Sequence, residues 1–268
     1  MVLKKLTKTL NEKDGLKDWA VTQRKRKRTE AYLIQNGSKI DVERISTVKE
    51  TSTNMSVFVD HGESLGEFSA KVSKKTPLAQ QVDEAVDEAA NIHNPLWSLP
   101  EPEEIYPSVQ TADPEILSKP QECMDKIVER IRESVATQEG VIFNNAEIFL
   151  TGTELEIQTS KKFLGKKEKS QIYLEIAFSR HEEDGRSDEM LKVGYATSFK
   201  ELDVEKFVTE TAEAARNMTQ VEMPVTGQYN VIVDAGVISQ LFHGLVSQTS
   251  GGFEFYKYPH KKVGDKLV

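Results

Sequence analysis

A run of prolines near the middle of the chain is the feature that most constrains its fold. Six of the nine prolines among the 268 residues lie within residues 94–120. Proline has no backbone N–H and a fixed φ, so such a segment cannot continue a helix or an interior strand. Residues 94–120 are therefore predicted to form a linker or an extended arm between two folded units.

Residues 1–93, before the linker, are predicted to form an N-terminal α+β unit. A short amphipathic segment precedes a series of strand signals, at residues 19–23, 30–35, 55–60 and 66–72. Asn36-Gly37 favours a hairpin turn after the second of these. Thr76-Pro77 opens a closing helix, because Thr is a good N-cap and Pro fits the first helical position.

Residues 121–223 repeat this order and are predicted to form a second α+β unit. Apolar side chains recur at helical spacing over residues 121–137, which makes this segment the strongest predicted helix. Strand signals follow at residues 147–150, 154–159, 171–178 and 190–198. A closing helix is predicted at residues 203–217, with Asp203 as its N-cap. The predicted fold class is α+β, built from two pseudo-repeated antiparallel sheet-plus-helix units and a third region at residues 224–268.

Composition narrows the classes of function. The formal net charge of −8 argues against a general binder of nucleic acid or of membrane surfaces, since both are polyanions. The single cysteine, Cys123, excludes an intramolecular disulfide and suits a reducing compartment. It lies in a predicted helix, where a buried bystander thiol is favoured over a nucleophile. No apolar run approaches the ~20 residues of a membrane span, so a cytoplasmic protein is expected.

The third region carries the scaffold of a helical metal site without its ligands. An apolar run at residues 229–234 predicts a strand, and Asp234 then caps a helix whose apolar stripe consists of Val237, Ile238, Leu241, Phe242 and Leu245. His243 lies on this helix. A metallopeptidase needs a Glu beside that His and a second His about one turn later, but Gly244 follows His243, and Ser247 and Gln248 lie one turn on.

These residues resemble the TldD/PmbA family, the modulators of DNA gyrase. In the metal-bearing branch a strand leads into Leu-Leu-His-Glu-x-x-x-His and a glycine-rich turn. This chain has Leu241-Phe242-His243 and Ser250-Gly251-Gly252-Phe253, with Gly244 and Gln248 at the Glu and second-His positions. That departure is similar to the PmbA/TldE branch, which lacks the metal motif.

The resemblance implies a non-catalytic subunit in a peptidase system for peptide maturation or degradation. The implied partners are a TldD-like metallopeptidase paralogue, in a homo- or heterodimer, and an unfolded peptide substrate. We expect no catalytic residue, metal ligand or cofactor in this chain, with His243 as a vestigial position and zinc only in the partner. Because family members continue into a large β-rich domain, residues 224–268 are expected to be its start, in a truncated or unusually short chain.

Two other functions are considered. The chain could be a metallopeptidase that draws ligands from outside its own sequence. Alternatively, it could regulate a DNA-processing enzyme through its basic run, Arg24-Lys25-Arg26-Lys27-Arg28. No aromatic residue interrupts this run to stack on bases, so an exposed edge strand, protected from aggregation by its charge, is the favoured interpretation.

Two other histidine-containing segments are interpreted as turns. His61-Gly62-Glu63 offers an imidazole and a carboxylate, but two ligands in a turn hold zinc poorly. The segment His181-Glu182-Glu183-Asp184 offers carboxylates to a hard cation without the spacing of a calcium loop. His93 and His260 have no partner pattern, and the sequence lacks the common nucleophile and phosphate-binding motifs.

Overall fold

A computed structural model describes residues 2–103, 106–107, 109–182, 185–218, 225–233 and 235–252, together with 256 and 264. The chain divides into two compact units, Met1–Thr219 and Gln220–Val268. The first contains six strands and five helices among its described residues, and the described part of the second contains one helix.

The Met1–Thr219 unit is built on one antiparallel sheet. Its six strands follow the order β3-β2-β1-β4-β5-β6, with the bounds β1 Asp18–Asn36, β2 Lys39–Asp60, β3 Leu65–Lys71, β4 Val141–Thr159, β5 Leu164–Glu182 and β6 Gly185–Ala196. Each of the two halves, β1 to β3 and β4 to β6, is a meander of consecutive strands. Pairing of β1 with β4 joins the halves, from Ala20 opposite Thr159 to Ile34 opposite Asn145.

Helices precede and follow each meander. Their bounds are α1 Val2–Asn11, α2 Leu78–Ala90, α3 Pro114–Ser118, α4 Pro120–Ala136, α5 Val204–Arg216 and, in the second unit, α6 Ala235–Gln248. The Asp203 carboxylate accepts a hydrogen bond from Lys206 N at 3.0 Å, so the predicted N-cap of α5 is confirmed. No described helix is both long and apolar enough to cross a membrane.

The predicted α+β class and its internal repeat are confirmed. The order helix, three antiparallel strands, helix occurs twice along the first unit. The two predicted units are nevertheless halves of one continuous sheet, because β1 bonds to a strand of each half. The division of the chain into domains at residues 94–120 and 224 stays a prediction.

Two hydrophobic clusters hold helices against the same face of the sheet. Trp19 and Val21 of β1 pack into a cluster with α1 and α2. Ala31 and Leu33, farther along the same strand, pack into a larger cluster with α4 and α5. All four are odd-numbered, and alternate residues of a strand share a face. The opposite face, which no described helix of this unit covers, is called the helix-free face below.

The interpretation of residues 24–28 as an exposed edge strand is wrong. Arg26 lies opposite Glu50 of β2 and also opposite Thr153 of β4, so this segment is in the interior of the sheet. Its charges are tolerated because it crosses the gap between the two hydrophobic clusters, where Lys25 and Lys27 remain exposed to water.

Other strand predictions differ in extent from the observed strands. The signals at residues 19–23 and 30–35 belong to one strand, β1, and those at residues 147–150 and 154–159 belong to β4. The predicted strand at residues 229–234 is absent over 229–233, and Asp234 lies outside the described residues. Val231 and Ile232 are 75% and 101% exposed, and no described strand pairs with them. The start of a β-rich region therefore stays a prediction.

The proline-rich segment lies along the first unit as an extended arm. Between residues 95 and 113 its described residues form no helix or strand. The Trp97 ring meets that of Phe58 edge-on, with ring centroids 4.9 Å apart. Farther along, the Asp113 backbone N–H donates to Ser170 Oγ at 2.7 Å. These contacts hold the arm against strands of both halves of the sheet.

We predict that the two hydrophobic clusters unfold together, because β1 belongs to both. Leu6→Ala in the first cluster and Ile131→Ala in the second each remove a fully buried side chain. Each should lower the free energy of unfolding by about 2–5 kcal/mol and shift the same single transition in urea, followed by tryptophan fluorescence and circular dichroism.

Leu164→Ala is the control, since Leu164 is 58% exposed and should change the free energy by no more than about 0.5 kcal/mol. Two transitions, each sensitive to only one of the core variants, would contradict a sheet that folds as one unit.

Candidate functional site

His243, the residue predicted to be a vestigial metal position, lies on α6. His243 and Gly244 are exposed, and among the described residues no atom beyond Gly244, its chain neighbours and the backbone of its own helix lies within 4 Å of the point where a Cβ at Gly244 would be. Gln248 ends the helix and is half-buried. Across the described part of the chain, no group of three or more His, Cys, Asp or Glu residues is placed to hold a metal ion. Phe253 and His260 lie outside that part.

The turn between β2 and β3 brings two histidines together. The rings of His61 and His93 have centroids 4.5 Å apart, and a ring nitrogen of His93, Nδ1, lies 2.8 Å from Ser64 Oγ. His61 Nε2 is buried, and no described residue forms a hydrogen bond with it. No sequence pattern indicates this pair, because residues 32 positions apart meet only when the end of α2 packs beside the turn. Two imidazoles remain short of a zinc site.

The structure also locates two other candidate residues from the sequence, Cys123 and His181. Cys123 lies in the larger hydrophobic cluster, and burial, with a contribution from the Glu115 carboxylate, raises the pKa of its thiol. A raised thiol pKa disfavours the thiolate that a nucleophile requires. His181 lies near the end of β5 opposite Arg186 of β6, whereas Glu183 and Asp184 lie outside the described residues.

The basic run is partly neutralised by the sheet around it. Lys25 Nζ lies 3.0 Å from a Glu154 carboxylate oxygen. Lys27 lies directly opposite Lys49 of β2, at a cleft of about 240 Å³ that Leu117 also lines. This arrangement exposes cations in the gap between the hydrophobic clusters but provides no aromatic platform on which bases could stack.

The helix-free face carries a row of aromatic and acidic side chains that the sequence did not reveal. Glu30, Phe149, Tyr173 and Tyr195 lie directly opposite one another on the successive strands β1, β4, β5 and β6. The rings of Phe149 and Tyr173 are stacked, with centroids 5.0 Å apart, and Tyr195 meets Tyr173 edge-on at 5.5 Å. This stacking defines a rigid platform across three strands.

Glu30 anchors one end of this row. The side chain is 5% exposed, accepts hydrogen bonds from Arg28 Nε at 2.6 Å and Ser46 Oγ at 3.0 Å, and so remains an ion. Burial acts to raise the pKa of Glu30, but these hydrogen bonds and the Arg28 charge outweigh it and lower the pKa. The Arg28 guanidinium also lies over the Phe149 ring, 5.1 Å from its centroid.

A second row beside the first contains two carboxylates, and Arg44 of β2 lies at its other end, over the Tyr32 ring. Glu147 lies between Tyr32 of β1 and Glu175 of β5. Burial raises the pKa of Glu147, and the negative charges of Glu175 and Glu30 add to the shift, while the Arg44 charge opposes it. Tyr173 donates a short hydrogen bond to Glu175, and burial together with this bond raises the pKa of Tyr173. Like charges on directly opposed residues are unfavourable unless a ligand compensates them.

The chemistry of this face is that of binding. Stacked aromatic rings and carboxylates without an ion pair attract apolar and cationic groups. No group of three or more metal-ligating side chains lies on the described part of this face. The only sequence signal is the alternation of Glu147 with Phe149 and of Tyr173 with Glu175, and strand register is needed to bring the two pairs together.

Three solved structures share the fold of this chain. TldE from Thermococcus kodakarensis aligns with a TM-score of 0.59 and 13% identity, over 80% of this chain and 47% of TldE. A proposed modulator of DNA gyrase from Bacteroides thetaiotaomicron aligns with a TM-score of 0.71 and 16% identity, over 93% and 57% of the two chains. A protein of the same description from Thermotoga maritima gives 0.57 and 17%, over 80% and 47%.

The chain has the fold of TldE and the gyrase modulators. The resemblance read from its sequence is thus confirmed at the level of the fold. The chain spans about half the length of these structures, namely 47% to 57%. No protein-family model and no curated protein matches it.

We predict that Glu147→Gln stabilises the protein near neutral pH. A carboxyl whose pKa is higher in the folded state than its ordinary 4.5 costs stability once pH rises above 4.5 and through the folded value. The variant removes this cost, so its free energy of unfolding should exceed that of wild type by about 0.2–1 kcal/mol at pH 7.5, the scale of cross-strand pairs.

At about pH 4 the two proteins should be nearly equal, since the carboxyl is then largely protonated in both states. Urea unfolding at the two pH values measures this. Glu43→Gln, at an exposed position of β2, is the control and should change neither value. A loss of stability in Glu147→Gln at pH 7.5 would mean that the carboxylate has a stabilising partner.

Proposed function

We propose that this chain is a non-catalytic, PmbA/TldE-like subunit of a TldD-type metallopeptidase complex that matures or degrades peptides. One observation carries the proposal: α6 bears His243 but has Gly244 and Gln248 where a metal-dependent peptidase needs its base and its second ligand. The shared fold with TldE supports the same assignment.

The chemistry of zinc explains why these two positions matter. A catalytic zinc ion is held by three protein ligands and keeps an open position for water, which a carboxylate base then deprotonates. Gly244 has no side chain, and the amide of Gln248 is a weak zinc ligand. We therefore assign zinc and hydrolysis to a TldD-like paralogue that carries His-Glu-x-x-x-His.

The role left to this chain is to hold an unfolded peptide beside the metal of its partner. The aromatic and acidic rows of the helix-free face suit that role, because extended peptides bind through main-chain pairing and side-chain contacts along a sheet. The single cysteine suits a complex in the reducing cytoplasm.

We predict that the purified chain neither binds zinc stoichiometrically nor cleaves peptides on its own. After exposure to zinc and desalting, elemental analysis should find well under one zinc per chain, and a fluorogenic peptide should stay intact. Adding the TldD-like paralogue should produce zinc-dependent cleavage.

His243→Ala is the matched variant, and in the complex it should leave cleavage unchanged. The proposal fails if the chain alone holds one zinc and cuts peptide, with His243→Ala abolishing both. That outcome would favour a metallopeptidase in its own right.

A further inference from the structure

The two edges of the sheet are the outer sides of β3 and β6. On β3, Leu65 exchanges two hydrogen bonds with Asn94, at 3.0 Å and 2.9 Å, so the start of the proline-rich arm covers the beginning of that edge. On β6, the backbone from Glu189 to Tyr195 bonds only to β5 within the described residues. An open edge presents unpaired N–H and C=O groups to any extended chain.

The side chains of β6 do not block this edge. Proteins usually protect an open edge with proline, a bulge or inward charges. The stretch from Met190 to Tyr195 has no proline, and its one charged residue, Lys192, lies on the helix-covered face, 2.5 Å from a Glu210 carboxylate oxygen. The edge is therefore open to pairing.

An apolar row follows this edge on the helix-free face. Leu191, Val193 and Tyr195 alternate along β6 and are 46%, 38% and 67% exposed. A strand added beside β6 would place every second side chain opposite one of them. The row therefore selects a peptide with apolar residues at alternate positions, aliphatic or aromatic.

The carboxylates beside the apolar row favour a peptide that carries a cationic side chain. Glu189, Glu175 and Glu147 lie on the same face. The Arg44 charge acts on Glu147, and none of the three carboxylates forms an ion pair within 4.0 Å in the described part of the chain. Glu189 is held by the Asn144 side-chain amide at 2.8 Å. Glu189 precedes the apolar row on the edge strand itself, so it faces the end of an added strand.

We propose that the outer edge of β6, from Glu189 to Tyr195, binds an extended peptide by main-chain pairing. The peptide class has apolar residues at alternate positions and a Lys or Arg that reaches Glu189. This inference rests on the proposed function, whose substrate class it names and whose contact strand it locates.

Fluorescence anisotropy with a labelled synthetic peptide tests the inference on the full chain. The probe alternates valine with threonine and carries lysine at both ends. Val193→Lys places a like charge and a long side chain in the apolar row, and should weaken binding at least about tenfold. Leu164→Lys is the matched control, because Leu164 is also exposed, at 58%, but lies away from β6, and it should bind as wild type does.

Three altered peptides, two methylated and one with glutamate, test the chemistry without altering the protein. Methylation of alternate backbone nitrogens removes the N–H donors that pair with an edge, so one of the two possible methylation frames should abolish binding. Replacing lysine by glutamate should also weaken binding, and salt should reduce the difference. Hydrogen exchange should slow between Met190 and Tyr195 when the unmodified peptide binds.

The inference is overturned if both methylated peptides bind like the unmodified one, or if Val193→Lys binds like wild type. It is also overturned if Val193→Lys converts a dimer of this chain to a monomer without affecting the peptide, since a second copy then occupies the edge. Capture of the TldD-like paralogue reports separately on the proposed function. If the Val193→Lys variant still captures the paralogue but no longer binds the peptide, the inference and the proposed function both stand. If the wild-type chain binds the peptide through β6 but captures no paralogue, only the proposed function fails.

Discussion

Strand β1 is the element on which the rest of the structure depends, because it is hydrogen-bonded along both of its edges. Its pairing with β2 and β4 turns two three-stranded meanders into one sheet. Its odd-numbered residues contribute to both hydrophobic clusters. One consequence is that the opposite face is continuous across both halves, and there the row that begins at Glu30 of β1 continues to Tyr195 of β6. Its residues come from segments more than 160 positions apart.

The sequence predicted the order of helices and strands better than it predicted the residues that meet on the surface of the sheet. Apolar periodicity located every helix of the first unit except α3, and turn signals such as Asn36-Gly37 located the hairpins. The charged residues of β1 hid its continuity, because charge in a strand normally indicates an edge. Here those side chains remain exposed to water, because they lie in the gap between the two hydrophobic clusters. The pairing of Glu147 with Glu175, and of His61 with His93, depends on register and packing that no local pattern encodes.

Two regions of the chain suggest complementary halves of one function. In α6 the proposed function rests on His243, which is followed by Gly244 and, one turn later, by Gln248. On the sheet, aromatic rings, carboxylates without an ion pair and the open edge of β6 are features of a binding surface. A subunit that holds peptide for a catalytic partner needs the second set of features and not the first.

The most direct test is affinity purification of the tagged protein at its native length from its source cell, with co-purifying chains identified and counted by mass spectrometry. The account predicts that a paralogue carrying His-Glu-x-x-x-His is recovered near one to one. Recovery of this chain alone, as a homo-oligomer, would contradict the assignment to a two-component peptidase.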